Sequence, residues 1–193
     1  MSQRTTHTIN VAFLVAAPDD PWLNRLTARV SKHPYCHCEL HFDTTNQCFS
    51  IQAGELAALR PKSLGNQNYR IVSLGVSAAE YQGCLQFCQA ATSWGLSLDD
   101  HAMYRSYYGC GCCEPSSRMA GQTFCSKIVT EALQHGGVRE VERLNPATTT
   151  PSRLFDTLHR SARVVCGSVP YKRCALAHSA VVRPAESALV SMK

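Results

Sequence analysis

The sequence predicts an α+β domain, and three observations predict it. Residues 11–16 form a near-continuous apolar run, residues 37–42 and 48–51 read as short strands about a turn, and two later stretches repeat apolar residues at helical spacing. Val11-Ala12-Phe13-Leu14-Val15-Ala16 has strand length and no polar face, the pattern of a strand covered on both sides, so it is expected at the centre of a sheet. His37-Cys38-Glu39-Leu40-His41-Phe42 and Cys48-Phe49-Ser50-Ile51 flank the turn-rich Asp43-Thr44-Thr45-Asn46 and predict a hairpin. A further strand is expected over residues 69–76, where Ile71, Val72 and Leu74 lie between the turn signals Gly65-Asn66 and Gly75.

The helices are marked by their ends as well as by their spacing. Asp19-Asp20-Pro21 reads as an N-cap with proline at the first helical position, and Leu23, Leu26 and Val30 follow at helical intervals, predicting a helix over residues 21–31. Residues 77–93 carry Tyr81, Cys84, Leu85, Cys88 and Ala91 along one face. A third helix over residues 124–134 is closed by Gly136-Gly137, and Thr150-Pro151-Ser152 opens a last one with Leu154, Phe155 and Leu158 toward the core. Residues 95–122 show little periodicity; they hold Tyr104, Tyr107, Tyr108 and the cluster Cys110-Gly111-Cys112-Cys113, and they read as a long functional loop. Val164-Val165-Cys166 is expected to be a closing strand, so the domain is placed at residues 8–165, with residues 166–193 as a partly flexible extension.

A chain of 193 residues fits one domain, and its 45% hydrophobic and 17% charged residues describe a globular protein. The net charge of +5 is scattered singly or in pairs such as Lys172-Arg173, without the basic stripe that follows a phosphate backbone, so no nucleic acid partner is expected. No stretch approaches a membrane span. Arg4 ahead of the apolar residues 9–17 has the outline of a signal peptide, but Asn10 interrupts the run and a capped helix follows directly, so it is read as a strand. Eleven cysteines is an odd number, so at least one thiol is free or paired outside the chain. A reducing, cytoplasmic setting is expected.

A thiol is a nucleophile only as its thiolate, and the first turn of a helix lowers its pKa through unpaired amides and the helix dipole. Cys125 in Gln122-Thr123-Phe124-Cys125-Ser126-Lys127 stands at such a start, where its own amide would also serve an oxyanion hole. The plain alternative is a small buried residue packing its helix. Among eight histidines His37 is the leading base, because alternation puts His37, Glu39 and His41 on one strand face and Cys38 and Leu40 on the other. The alternative for that polar face is an edge strand meeting solvent. Cys110, Cys112 and Cys113, with Cys36, Cys38 and Cys48 as further ligands, are weak zinc candidates because their spacing is too tight for a knuckle. They read as loop thiols, and no metal or other cofactor is expected.

Together these segments resemble a known family. An apolar first strand, a helix, a strand opening His37-Cys38-Glu39, a strand Phe49-Ser50-Ile51, then Phe124-Cys125-Ser126-Lys127-Ile128-Val129 and Thr150-Pro151-Ser152-Arg153-Leu154-Phe155 are similar, over residues 9–160, to the permuted branch of the NlpC-type papain-like superfamily. That branch includes YiiX-like proteins and the lecithin retinol acyltransferase group, and similar domains occur in large DNA viruses. The resemblance implies a permuted papain-like fold, with a small antiparallel sheet or barrel packed on the cysteine-bearing helix. It also implies catalytic Cys125 and His37, with a polar residue on the neighbouring strand orienting the imidazole. In the family that residue is usually His, Asn, Gln or Glu; here the place falls to Ser50, with Gln52 beyond it, and Glu39 is the other candidate for the third role. Serine accepts a hydrogen bond from imidazole but does not stabilise imidazolium as a carboxylate does.

The function implied is cysteine hydrolysis of amide or isopeptide bonds through a thioester, by a peptidase or deubiquitinase-like enzyme with a protein or peptide substrate, in a host cytoplasm or virion if the protein is viral. A second expectation is a thiol acyltransferase or phospholipase acting on lipid, for which Ala188-Leu189-Val190 offers an apolar segment. A third is a binding or structural protein that keeps the fold without the activity, which Ser50 in the orienting place favours.

Overall fold

The computed structural model describes residues 7–31, 33–62, 64, 68–107 and 121–170. In chain order the elements are β1 (His7–Val15), α1 (Trp22–Ser31), β2 (Tyr35–Phe42), β3 (Gln47–Ser50), β4 (Ala58–Pro61), β5 (Tyr69–Val76) and α2 (Ala78–Ser93). Then follow β6 (Ser97–Leu98), α3 (Asp100–Tyr107), β7 (Gln122–Thr123), α4 (Cys125–His135), α5 (Pro151–His159) and β8 (Val164–Pro170). Short 3-10 turns at Arg139–Val141 and Pro146–Thr148 join α4 to α5.

The fold is α+β. Six strands form one antiparallel sheet in the order β4-β3-β2-β1-β5-β8. The sheet is open, with β4 and β8 at its edges, so the barrel alternative is not what forms. Apolar β1 lies inside it, paired with β2 on one side and β5 on the other. Strand alternation divides the sheet's residues between two layers. Ile9, Val11, Phe13, Cys38, Leu40, Phe42, Val72 and Leu74 pack with buried residues of α2, α4 and α5 in the main core. On the opposite face Ala12, Cys48, Tyr69 and Ile71 gather around Leu64 in a second cluster.

Helix ends follow the chemistry of their sequence. Ser77 and Glu80 form a reciprocal capping box at the start of α2: the serine hydroxyl accepts from the Glu80 amide, and the Glu80 carboxylate accepts from the Ser77 amide at 2.8 Å. The buried residues of α2 are the five the spacing predicts. At the other end of α4, Val138 N–H bonds Leu133 C=O and Gly137 N–H bonds Gln134 C=O, with Gly137 at φ +78. That is a Schellman stop, and glycine adopts its left-handed backbone without steric cost. Beside it α2 and α4 touch backbone to backbone: a Cβ on Gly136 would stand 2.7 Å from the Glu80 carbonyl oxygen, and one on Gly83 would stand 2.9 Å from Gly136 Cα.

One expectation changes. Residues 95–122 are not one long loop, because β6 pairs in parallel with β7 and α3 lies between them. Asp99 caps α3, its carboxylate accepting from the Ala102 amide at 2.8 Å, and Ala102 and Met103 pack against Phe124. Cys110, Cys112, Cys113 and Tyr108 lie outside the described residues, as does the tail from residue 171. The Asp20 carboxylate accepts from the Ala17 amide at 2.8 Å, just ahead of α1. On α1, buried Thr27 faces inward while Trp22 and Leu26 are 65% and 37% exposed. No helix among the described residues is long and apolar enough to cross a membrane.

Candidate active site

Cys125 is the first residue of α4, and the residue before it, Phe124, is extended and makes no side-chain cap. The residue before the helix therefore caps none of the first-turn amides, which lie at the thiol end of the helix. Neighbouring contacts fix this end in place. Phe124 is buried against Met103 of α3, and the Ser126 hydroxyl donates to the Thr149 carbonyl at 2.7 Å.

His37 comes from β2, whose polar side does not meet solvent as the edge-strand alternative requires: Glu39 is fully buried and His41 is 8% exposed. The local geometry has an irregularity. Leu14 of β1 pairs with His37 but Val15 pairs with Tyr35, so Cys36 is an extra residue in β2. Such a bulge turns the strand and re-aims its side chains. Here Tyr35 packs with Phe13 and Phe155 in the main core, with ring centroids 5.7 Å and 4.4 Å away, while His37 keeps to the opposite side and meets Cys125. β3 pairs with β2 no further than Leu40, which leaves this stretch of β2 free on that flank. Cys125 reaches both sides of it, contacting the His37 ring as well as the thiol and backbone amide of Cys38.

Behind the imidazole stands Glu39. Its Oε1 lies 3.2 Å from His37 Nε2, in an ionic contact outside hydrogen-bond alignment. The same oxygen accepts from Lys62 Nζ at 2.5 Å and from the Tyr69 hydroxyl at 2.6 Å. Of the two candidates for the third role, Glu39 is the one beside His37. Ser50 is fully buried on β3, and its hydroxyl has no hydrogen-bond partner. His41, on the same face, is held at the far end of β2, with Nδ1 3.1 Å from Asp43 Oδ1 and Nε2 3.3 Å from Asn46 Oδ1, where it fastens the β2–β3 turn.

These contacts set the charges. Burial alone would lower the His37 pKa, but the facing Cys125 thiolate and then Glu39 raise it from 6.5 to about 9. Burial would raise Glu39, and the contact with His37, backed by Lys62 and Tyr69, overrides it and brings the carboxyl from 4.5 to about 2. Cys125 is held well below the ordinary thiol value by the hydrogen bond from the Cys38 thiol, and by the charge and hydrogen bond of His37 against the cost of burial. Cys38 is driven up, first by burial and then by its neighbour, so of the two thiols Cys125 is the one that ionises. Cys36 is pushed up to about 12 by burial, by Asp20 and by Cys125.

Cys125 and His37 open into a cleft of about 570 Å³, whose wall includes Cys36, Tyr69, Gln52 and Met103. That volume suits a side chain or small ligand. Among the described residues no cluster of histidine, cysteine or carboxylate side chains is arranged to hold a metal ion.

Sequence reading missed three contributors. Lys62 and Tyr69 hold Glu39, and their separation from it in sequence hides the link; Tyr69 is visible only as the first residue of a predicted strand. Cys38 was placed on the face opposite His37, and its contact with Cys125 depends on where α4 docks. Tyr107, one of the tyrosines the sequence marks in residues 95–122, lies at the end of α3 with a buried hydroxyl that has no partner among the described residues; burial, and then the Cys125 charge, push it up. No protein-family model matches the chain, and a search of curated proteins finds no significant match to it.

Proposed function

We propose that the chain is a cysteine hydrolase of the permuted papain-like type, with Cys125 as nucleophile, His37 as acid and base, and Glu39 as the residue that orients and charges His37. The observation that carries this reading is the pairing of a helix-start thiol with a carboxylate-backed imidazole at the floor of a cleft. The thiolate attacks an amide carbonyl carbon, and the uncapped amides of α4 stabilise the oxyanion. With Nε2 turned to Glu39, Nδ1 is the nitrogen that serves the sulfur. His37 then protonates the departing amine and deprotonates the water that hydrolyses the thioester.

The resemblance to permuted NlpC-type proteins agrees with this order, since the base precedes the nucleophile in the chain. A second reading, acyl transfer on lipid, draws on Trp22 and Leu26, exposed on the helix whose Asn24 and Thr27 line the cleft.

The test is alkylation of the purified protein by iodoacetamide near neutral pH, mapped by mass spectrometry. Cys125 should react faster than every other thiol, and His37→Ala should slow it by roughly 30- to 100-fold, the thiolate deficit of an ordinary thiol at pH 7. A Cys125 no faster than its neighbours would remove the hydrolase reading. Turnover of peptide amides against phospholipid esters then separates the two substrate classes.

A further inference from the structure

The charges on the cleft wall run against those of the molecule. The whole chain carries +5, yet among the described residues lining the cleft there is no lysine or arginine, and beyond the Cys125 and His37 pair the charged groups are Asp19 and Asp20. A thiolate beside an imidazolium sums to zero, so these two aspartates set the sign of the potential there. Glu39 does not add to it, because Lys62 neutralises it from behind.

The position of Asp20 is fixed by a hydrogen bond. Asp20 is tied by its bond from the Ala17 amide, which holds the turn before α1 against the cleft, and Asp19 next to it is exposed. The Asp20 charge is felt inside the site, since after burial it is the largest influence raising the Cys36 thiol. The same wall includes Leu14, Leu98 and Met103. A long side chain with an aliphatic stem and a cationic head fits that combination of apolar and acidic lining, the stem against the apolar side chains and the head at the carboxylates. An anionic side chain would lose its hydration there with no cation to meet it.

We propose that the cleft selects peptide substrates carrying a lysine or arginine side chain adjoining the scissile bond, read by Asp19 and Asp20. This rests on Cys125 being the acyl-transfer nucleophile, and the experiment separates the two claims. Cys125 is modified with a cationic and an anionic methanethiosulfonate of similar size, aminoethyl and sulfonatoethyl, in the wild type and in the Asp19→Asn/Asp20→Asn double variant. In parallel, the wild type is given peptide amides that differ only in Lys, Arg, Leu or Glu beside the scissile bond.

The cation-to-anion rate ratio should fall about tenfold in the double variant, the scale of two partly exposed charges acting on one. In the wild type the ratio should also shrink as salt is raised, which reads the same field without any substitution. Lys and Arg peptides should be cleaved in preference to Leu and Glu peptides. A ratio equal in both proteins and insensitive to salt overturns the charge selection, as does cleavage indifferent to the neighbouring residue; in that last case the hydrolase reading stands. A ratio that falls as expected with no peptide cleaved supports the charge selection and removes the hydrolase reading instead.

Discussion

The Tyr69 hydroxyl donates to Glu39 Oε1 at 2.6 Å, on the same oxygen that lies 3.2 Å from His37 Nε2. Lys62 shares that oxygen, while Glu39 Oε2 is buried with no hydrogen-bond partner. The carboxylate is thus anchored by the atom that faces the imidazole, and its orientation is set by two side chains from outside β2.

Replacing the charge while keeping the shape tests this arrangement. In Glu39→Gln the His37 pKa, followed by NMR, should drop from about 9 toward 6.5, and alkylation of Cys125 at pH 7 should slow several-fold. Glu39→Asp should recover part of both. The glutamine variant also leaves Lys62 without its carboxylate, so its stability should fall by about 3 kcal/mol in urea titration. A His37 titration that ignores the substitution would assign the raised value to Cys125 alone.

Stability should respond to acid through the same residue. The folded Glu39 carboxyl, at about 2, lies below its ordinary 4.5, so its contribution is present above pH 4.5 and is lost as pH falls through 2. Over that interval the wild type should lose on the order of 3 kcal/mol more than Glu39→Gln does. His37 works with the opposite sign: raised from 6.5 to about 9, it contributes fully below pH 6.5 and ceases to as pH rises through 9. Denaturant titrations at matched pH values measure both.

Ser50→Ala should be neutral or stabilising by up to about 1 kcal/mol, because it removes a buried hydroxyl that bonds to nothing. The His37 titration should stay near 9 in this variant. A fall in that value would return Ser50 to the orienting role.

Gly136→Ala should destabilise the protein by about 1–3 kcal/mol, since the added methyl meets the Glu80 carbonyl oxygen at 2.7 Å in a backbone contact that cannot yield locally. A thermal melt reads the loss. Gly54→Ala is the comparison, a glycine with open space around its Cβ and only the positive φ of 78 to resist.

What the sequence shows of this molecule follows from the range of each interaction. The hairpin of β2 and β3, the strand at residues 69–76 and the inward face of α2 are set by alternation or helical spacing within one segment, and all are legible. β4 was not seen, because Ala58-Leu59-Arg60-Pro61 has neither alternation nor β-branched residues and forms through its pairing with β3. α3 was read as loop because its core contact is to Phe124, beyond its own segment. In the site, Cys125 at a helix start and His37 on a polar strand face were visible. Which of Glu39 and Ser50 stands beside His37 was not, because the carboxylate is held there by Lys62 and Tyr69, from outside its own strand.

The groups that hydrogen-bond the sulfur come from two consecutive residues, His37 and Cys38, on one strand, while the sulfur itself rides on α4. Any shift of that helix relative to the sheet therefore loosens every one of these contacts together rather than one at a time. The reactivity of a single thiol then becomes a gauge of how well α4 is seated. Ligands or substitutions far from the cleft that press on the helix would be registered in the rate at which Cys125 is labelled.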